Sequence, residues 1–196
     1  MSRSLRIAVA DDEPRMLQFY RKVLPEFGHQ VVAEAETGAR LVELCRAMAP
    51  DLVITDIKMP DIDGLQAANE IRSQRATPLI LVSAYHDAEF ISQALENHVL
   101  AYLVKPIKKA DLEPAIALVT RRFAEFQALQ KEADDLRQAL ADRKLIERAK
   151  GALMKRAGLD EHAAFQRLQS MASNRNQKLV EIARSLLLAE EAYAEV

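Results

Sequence analysis

Leu52-Val53-Ile54-Thr55-Asp56-Ile57-Lys58-Met59-Pro60-Asp61-Ile62-Asp63-Gly64 opens on an apolar run, closes that run on a carboxylate, and reaches Gly64 through a loop rich in Asp and Pro. Leu52-Val53-Ile54 is apolar on both faces, as a strand is when helices cover a parallel sheet on both sides. The same alternation of short apolar runs and amphipathic stretches repeats outward from it. Strands are expected at Leu5–Ala10, Gln30–Ala35, Leu52–Thr55, Leu79–Val82 and Ala101–Val104. Helices are expected at about Pro14–Phe27, Ala39–Met48, Gly64–Arg72, Ala88–Asn97 and from Lys108 onward. Five such units predict a doubly wound α/β fold with its functional groups at the carboxyl ends of the strands.

Those ends carry a distinctive set of groups. Asp11 and Asp12 follow the first strand and Asp56 ends the third, so neighbouring strands would aim three carboxylates into one shallow pocket. Clustered carboxylates repel, and a hard divalent cation relieves that at least cost. With no His or Cys nearby in the pattern, the expected ion is Mg²⁺ rather than zinc. Lys105, after the fifth strand, brings a positive charge to the same rim, and Ser83, after the fourth, brings a hydroxyl. A metal and a Lys neutralise phosphoryl oxygens, a hydroxyl senses their arrival, and an Asp attacks, which suits phosphoryl transfer onto a carboxylate. A single Asp in such a loop would serve as a helix cap; the concurrence of all these groups is what points to chemistry.

The 196 residues are 49% hydrophobic and 29% charged, enough for a core and too polar for a membrane protein or a fibre. No apolar run approaches membrane-spanning length, and Met1-Ser-Arg-Ser-Leu5-Arg-Ile leads straight into a strand, so a cytoplasmic protein is expected. The lone cysteine, Cys45, excludes an internal disulfide framework and a Cys-built zinc site and is assigned to helix burial. His29, His86, His98 and His162 are scattered without metal-ligand spacing. Charge is uneven along the chain: residues 1–118 carry 13 basic and 17 acidic residues, whereas 143–185 carry 10 and 4.

From Asp111 to Gly151 the only Gly or Pro is Pro114, which predicts one long helix. Val119, Phe126, Leu129, Ala133, Leu136 and Leu140 keep a 3-4 spacing interrupted by Arg122, the seam of a two-stranded coiled coil and hence of a homodimer. The division expected is an α/β domain over 1–118, a linker helix over 119–142 and a basic helical domain over 143–196. In the last, Gly158 stops one short helix, Asp160 caps a second and Asn176 caps a third, giving a small three-helix bundle.

Asp11-Asp12-Glu13, Asp56-x-x-Met59-Pro60-x-x-Asp63-Gly64, Ser83-Ala84 and Tyr102-Leu103-Val104-Lys105-Pro106 resemble the receiver domain of two-component response regulators over about residues 5–120. The resemblance implies a flavodoxin-like sheet of order 2-1-3-4-5 and phosphorylation of Asp56 by a sensor histidine kinase. It also implies Mg²⁺ held by Asp12, Asp56 and the Lys58 carbonyl, with Asp11 assisting through water. Lys105 would contact the phosphoryl group, helped by a cis bond to Pro106, and Ser83 and Tyr102 would form the switch pair. One departure is Asn97-His98-Val99, where the family usually has a Gly to stop the fourth helix.

Ile146-Glu147-Arg148-Ala149-Lys150-Gly151-Ala152-Leu153-Met154, then Asp160-Glu161-His162-Ala163-Ala164-Phe165 and Asn176-Gln177-Lys178-Leu179-x-x-Ile182-Ala183, resemble the ANTAR domain of transcription antitermination regulators over about 140–188. That family binds RNA hairpins in leader transcripts and lets RNA polymerase pass a terminator. By resemblance the RNA face includes Lys150, Arg175, Asn176 and Lys178, with Arg148 and Arg156 as weaker candidates. Phe165 is expected in the core, and Ala149 and Gly151 at close helix packing. The chain is thus expected to be a regulator rather than an enzyme, apart from accepting a phosphoryl group on Asp56 and its slow hydrolysis. Three rivals stand beside an RNA-binding output: a DNA-binding output, a protein-interaction output, and a metal-dependent phosphatase, for which nothing is left over to build a substrate pocket.

Overall fold

The computed structural model describes residues 3–84 and 101–194; the expected fourth helix at Ala88–Asn97 and the turn at Asn97-His98-Val99 lie outside them. Five strands, β1 (Arg6–Ala10), β2 (Gln30–Ala35), β3 (Leu52–Asp56), β4 (Leu79–Ser83) and β5 (Ala101–Val104), form a parallel sheet of order β2-β1-β3-β4-β5. Six helices are described: α1 (Pro14–Glu26), α2 (Gly38–Met48), α3 (Gly64–Gln74), α4 (Lys109–Ala157), α5 (Glu161–Arg175) and α6 (Leu179–Ala194). The sheet order is the one the receiver resemblance implies.

Alternate residues of each strand go to opposite faces, so one strand feeds two cores. On one face Ile7, Val9, Ile54 and Val82 pack with Leu17, Tyr20 and Leu24 of α1 and with Leu112, Ile116 and Val119 of α4. On the other, Ala8, Ala10, Val53 and Leu81 pack with Leu41, Val42 and Cys45 of α2 and Leu65, Ala68 and Ile71 of α3. Burying each large aliphatic side chain contributes roughly 1.5–3 kcal/mol, so two filled faces supply most of the drive to fold. Cys45 is free and buried, and burial pushes its thiol pKa up to about 12, as its assignment to the core requires.

Two glycines set the loops beside the sheet. Asp63 caps α3 by accepting the Gln66 N–H at 2.7 Å, and the Gln66 side chain returns to the Asp63 N–H, a reciprocal capping box. Gly64 then donates its N–H to the Ile57 carbonyl at 2.8 Å. A Cβ at Gly64 would lie 2.0 Å from the Asp56 carbonyl oxygen, and one at Gly38 would lie 2.2 Å from the Ile62 carbonyl oxygen. Only bare backbone lets the start of α3 close against the end of β3, where Asp56 sits.

The chain divides into two compact units, residues 1–127 and 128–196, and α4 contributes to both. In the second unit Ala149 and Ala152 of α4, Leu168 and Ala172 of α5 and Ile182, Ala183 and Leu187 of α6 make the core. Asp160 caps α5 by accepting the Ala163 N–H at 2.7 Å, as expected. Along α4, Phe126, Leu129, Leu136 and Leu140 are 40–66% exposed.

Four expectations about the second unit need correction. The first of its three short helices is the end of α4, which runs unbroken to Ala157 because Gly151 does not interrupt it. Asn176 does not cap the third helix; it ends α5 in the left-handed conformation at φ 50°, a geometry Asn tolerates, and α6 starts after Lys178, whose N–H donates to the Glu181 carboxylate at 3.2 Å. Phe165 is 36% exposed, because Ala164 and Leu168 already fill the inward face of α5. Ala149 is packed as expected, but a Cβ at Gly151 would meet nothing within 4 Å.

The two kinds of glycine should respond oppositely to alanine. Gly64→Ala should lower stability by about 2 kcal/mol through overpacking, and Gly151→Ala should raise it by about 0.5–1 kcal/mol through helix propensity. Urea midpoints measure both, and equal shifts would show that close backbone approach does not govern Gly64.

Candidate functional site

The ends of β1, β3 and β5 converge on one ammonium group. Lys105 Nζ lies 2.6 Å from Asp56 Oδ2, 3.0 Å from Asp11 Oδ2 and 3.0 Å from Glu13 Oε1. Asp11 is fully buried and Asp56 is 5% exposed, while Asp12 stands at the surface; a carboxylate oxygen from each lies within 4.8 Å of the other two. The Lys58 N–H donates to Asp56 Oδ1 at 3.2 Å, so the loop backbone leans over the acceptor carboxylate. Lys105 is followed by a cis bond to Pro106, and its N–H donates to the Ser83 carbonyl at 2.8 Å, tying the end of β5 to the end of β4. Ser83 is 3% exposed, and Tyr102 is half-buried against the α2–α3 face of the sheet. Of the α/β site residues expected from the sequence, the structure brings Asp11, Asp12, Asp56 and Lys105 together, with the Lys58 N–H on Asp56 and the Ser83 carbonyl on the Lys105 N–H, while Tyr102 lies within β5 and Pro106 is exposed.

The electrostatics are unbalanced. One ammonium faces Asp11, Asp12, Glu13 and Asp56, and burial sharpens the repulsion among the carboxylates. Burial raises the Asp11 pKa above 3.8, and it outweighs the Glu13 N–H and the Lys105 ammonium, which both lower it. Burial alone would lower the Lys105 pKa, but the hydrogen bonds its ammonium donates to Asp56, Asp11 and Glu13 overcome it and hold the amine firmly protonated. Asp11 Oδ2 is in ion-pair contact with Lys105 yet has no well-directed hydrogen bond, so a buried oxygen is left with unspent acceptor capacity. An all-oxygen set with an orphaned carboxylate oxygen fits a hard divalent cation. Tyr20, buried in the core below, also has a hydroxyl without a partner.

Glu13 belongs to the Asp11-Asp12-Glu13 run, but the sequence assigns it no role. It follows Asp11-Asp12 and reads as a solvated residue before a helix, and only the position of Lys105 reveals its role. By contrast a groove of about 770 Å³ beside Leu5, His29, Pro50, Ile116 and Phe123 holds none of the clustered carboxylates.

Residues 7–117 match the response regulator receiver domain model, and residues 134–187 match the ANTAR domain model. The chain is 40% identical over 182 residues to the transcriptional regulatory protein PdtaR of Mycobacterium tuberculosis, covering 93% of this chain and 89% of that protein. The chain belongs to the response regulators that carry a receiver domain and an ANTAR domain. The receiver half alone is shared with the transcriptional regulatory protein HptR of Staphylococcus aureus, 30% identical over 63% of this chain and 49% of that protein. Among solved structures it is similar to a LuxR-family two-component response regulator from Aurantimonas, with TM-score 0.58 and 28% identity over 61% of this chain and 86% of that one. A LuxR-family DNA-binding response regulator from Staphylococcus aureus gives TM-score 0.56 and 25% identity over 59% and 98%. Receiver domains bind Mg²⁺ at such an acidic pocket, and the donor set here fits that ion.

In the ANTAR region the basic residues divide. Arg148, Arg156, Arg175, Asn176 and Lys178 are exposed. Lys150 is only 8% exposed, and its amine pairs with Glu147 and Glu161, each at 2.7 Å. The resemblance counts Lys150 in the RNA face; in the structure its ammonium lies between Glu147 of α4 and Glu161 of α5. Among the described residues no helix is long and apolar enough to cross a membrane.

The raised Asp11 pKa carries a sign. An acid whose folded pKa lies above its unfolded value is costly to ionise, so metal-free stability falls as pH rises from about 3.8 through the folded value. Asp11→Asn should therefore raise the metal-free melting temperature at neutral pH and flatten that slope. The same variant should lose the stabilisation that Mg²⁺ gives the unmodified protein. Calorimetry with and without Mg²⁺ checks both, and an unchanged Mg²⁺ response would remove Asp11 from the cation site.

Proposed function

We propose that this chain is a phosphorylation-controlled regulator that binds RNA hairpins and antiterminates transcription. The observation that carries it is the union in one chain of a Lys105-clamped acidic pocket with an ANTAR region. The α/β receiver is assigned to 1–118, a linker helix to 119–142 and the RNA-binding bundle to 143–196, in a cytoplasmic protein.

Asp56 is the phosphoacceptor: its carboxylate oxygen bonds to phosphorus as the bond to a histidine kinase's phosphohistidine breaks. Asp12, Asp56 and the Lys58 carbonyl would hold Mg²⁺, with Asp11 assisting through water, and the ion would neutralise phosphoryl oxygens. Lys105 keeps its proton and moves its ammonium from the bare carboxylates to the phosphoryl group. The Ser83 hydroxyl follows the new oxygens, and Tyr102 turns into the space it leaves, so the face around β5 changes shape. Such a change biases an equilibrium that already exists.

The exposed leucines Leu129, Leu136 and Leu140 support a homodimer, since they keep coiled-coil spacing along one helix. In the output, Arg148, Arg156, Arg175, Asn176 and Lys178 contact RNA, with the guanidinium and amide groups of Arg175 and Asn176 at the end of α5 on loop bases and the other cations on phosphates. Lys150 is set apart from that group by its two glutamates.

Titrations at stated salt against a two-hairpin RNA, an unstructured RNA and duplex DNA, each with and without receiver phosphorylation, test this function. Selective hairpin binding that strengthens on phosphorylation is expected; equal, salt-sensitive binding to all three contradicts it. A Leu129→Ser/Leu136→Ser double variant should sediment as monomer at concentrations where the unmodified chain is dimeric, and unchanged sedimentation would move the dimer contact elsewhere.

A further inference from the structure

The ANTAR part of α4 carries cations on two different sides. On one, Lys150 donates to Glu147 and to Glu161 at the start of α5, both at 2.7 Å. One ammonium between two carboxylates leaves that spot net negative, and its hydrogen bonds hold two helices rather than a ligand. A phosphate approaching there would meet the glutamates first.

The other side is built differently. Lys144, Arg148, Gly151 and Lys155 follow a 4-3-4 spacing, which at 100° per residue puts them within about 60° of arc on the helix surface. Lys144, Arg148 and Lys155 are exposed, and Gly151 is half-exposed among them. Of the core positions, Ala149 lies about 130° and Ala152 about 70° from the middle of this arc, so the arc borders the packed face without entering it. Gly151 has no internal reason to be Gly: it lies inside α4, its φ is not positive, and a Cβ would meet nothing within 4 Å. Gly is the poorest helix former except Pro, so its presence costs stability without a packing return inside the chain. What Gly does provide is bare backbone, the feature that admits another chain at close range.

We infer that Lys144, Arg148 and Lys155, with Gly151 between them, form the edge of the bundle that seats the sugar–phosphate backbone of an RNA stem, and that Lys150 instead positions α5 against α4. This rests on the RNA-binding function proposed above and gives it a location. Three cations at this spacing fit a backbone track, and phosphate contacts set register while the exposed groups near the end of α5 reach bases. Gly151 lets the track close onto the helix.

The full chain, phosphorylated by acetyl phosphate, would be titrated with a two-hairpin RNA over a range of salt. Lys144→Ala and Lys155→Ala should each weaken binding and reduce the slope of log affinity against log salt by about 0.7–0.9. Gly151→Ala should weaken hairpin binding severalfold while helix content holds or rises. Lys150→Met should leave the salt slope unchanged, and Glu161→Gln should not strengthen binding. If Lys150 touches phosphate directly, Glu161→Gln frees it and binding strengthens, which overturns the assignment. Gly151→Ala binding RNA as the unmodified chain does, or shifting only dimer dissociation, overturns it in favour of bare helix or of a second copy's helix at that edge. Absence of hairpin preference in the unmodified chain overturns the RNA function itself and is told apart by needing no variant.

Discussion

One ammonium held among three carboxylates organises the α/β half of this protein. Lys105 can reach Asp56, Asp11 and Glu13 together only because β5 and β1 flank the β3–β4 pair in a parallel sheet, with all their carboxyl ends on one edge. The sheet order and the bare backbone at Gly64 both serve that convergence. Yet the cluster is under-neutralised, with Asp11 costly to ionise and one of its oxygens poorly satisfied. A pocket of that kind is poor for stability and well suited to taking up a cation and a phosphoryl group, whose charges complete it.

The receiver was legible in the sequence because its signals are local. Leu52-Val53-Ile54 and Leu79-Ile80-Leu81-Val82 are apolar on both faces, and the resulting strands are found within one residue of their expected ends. Asp11, Asp12, Asp56, Ser83 and Lys105 each stand at the end of a strand, so the topology alone gathers them. The part Glu13 plays is not legible because its partner is Lys105, far along the chain, and nothing local distinguishes it from a solvated acid.

The output was harder to read, for physical reasons that differ by residue. Asn176 serves equally well as an N-cap or as a left-handed helix end, and the sequence does not distinguish the two. Phe165 looks like core until Ala164 and Leu168 are seen to fill the inward face. Lys150 looks like a solvated cation until Glu161, on another helix, is found beside it. These positions depend on how helices meet, and apolar periodicity within one helix does not carry that information. Helix α4 supplies side chains to both the receiver core and the bundle core, so one continuous element joins the acceptor half to the output half.

The central claim is that the Lys105-centred pocket accepts a phosphoryl group on Asp56 with Mg²⁺ bound. The most direct measurement is to incubate the full chain with acetyl phosphate, reduce the acyl phosphate with borohydride and locate the modified residue by peptide mass spectrometry. The account predicts one modified residue, Asp56, formed only with Mg²⁺ and absent from Asp56→Asn. Modification at Asp11, Asp12 or a hydroxyl residue, equal modification without Mg²⁺, or none on folded protein would contradict it.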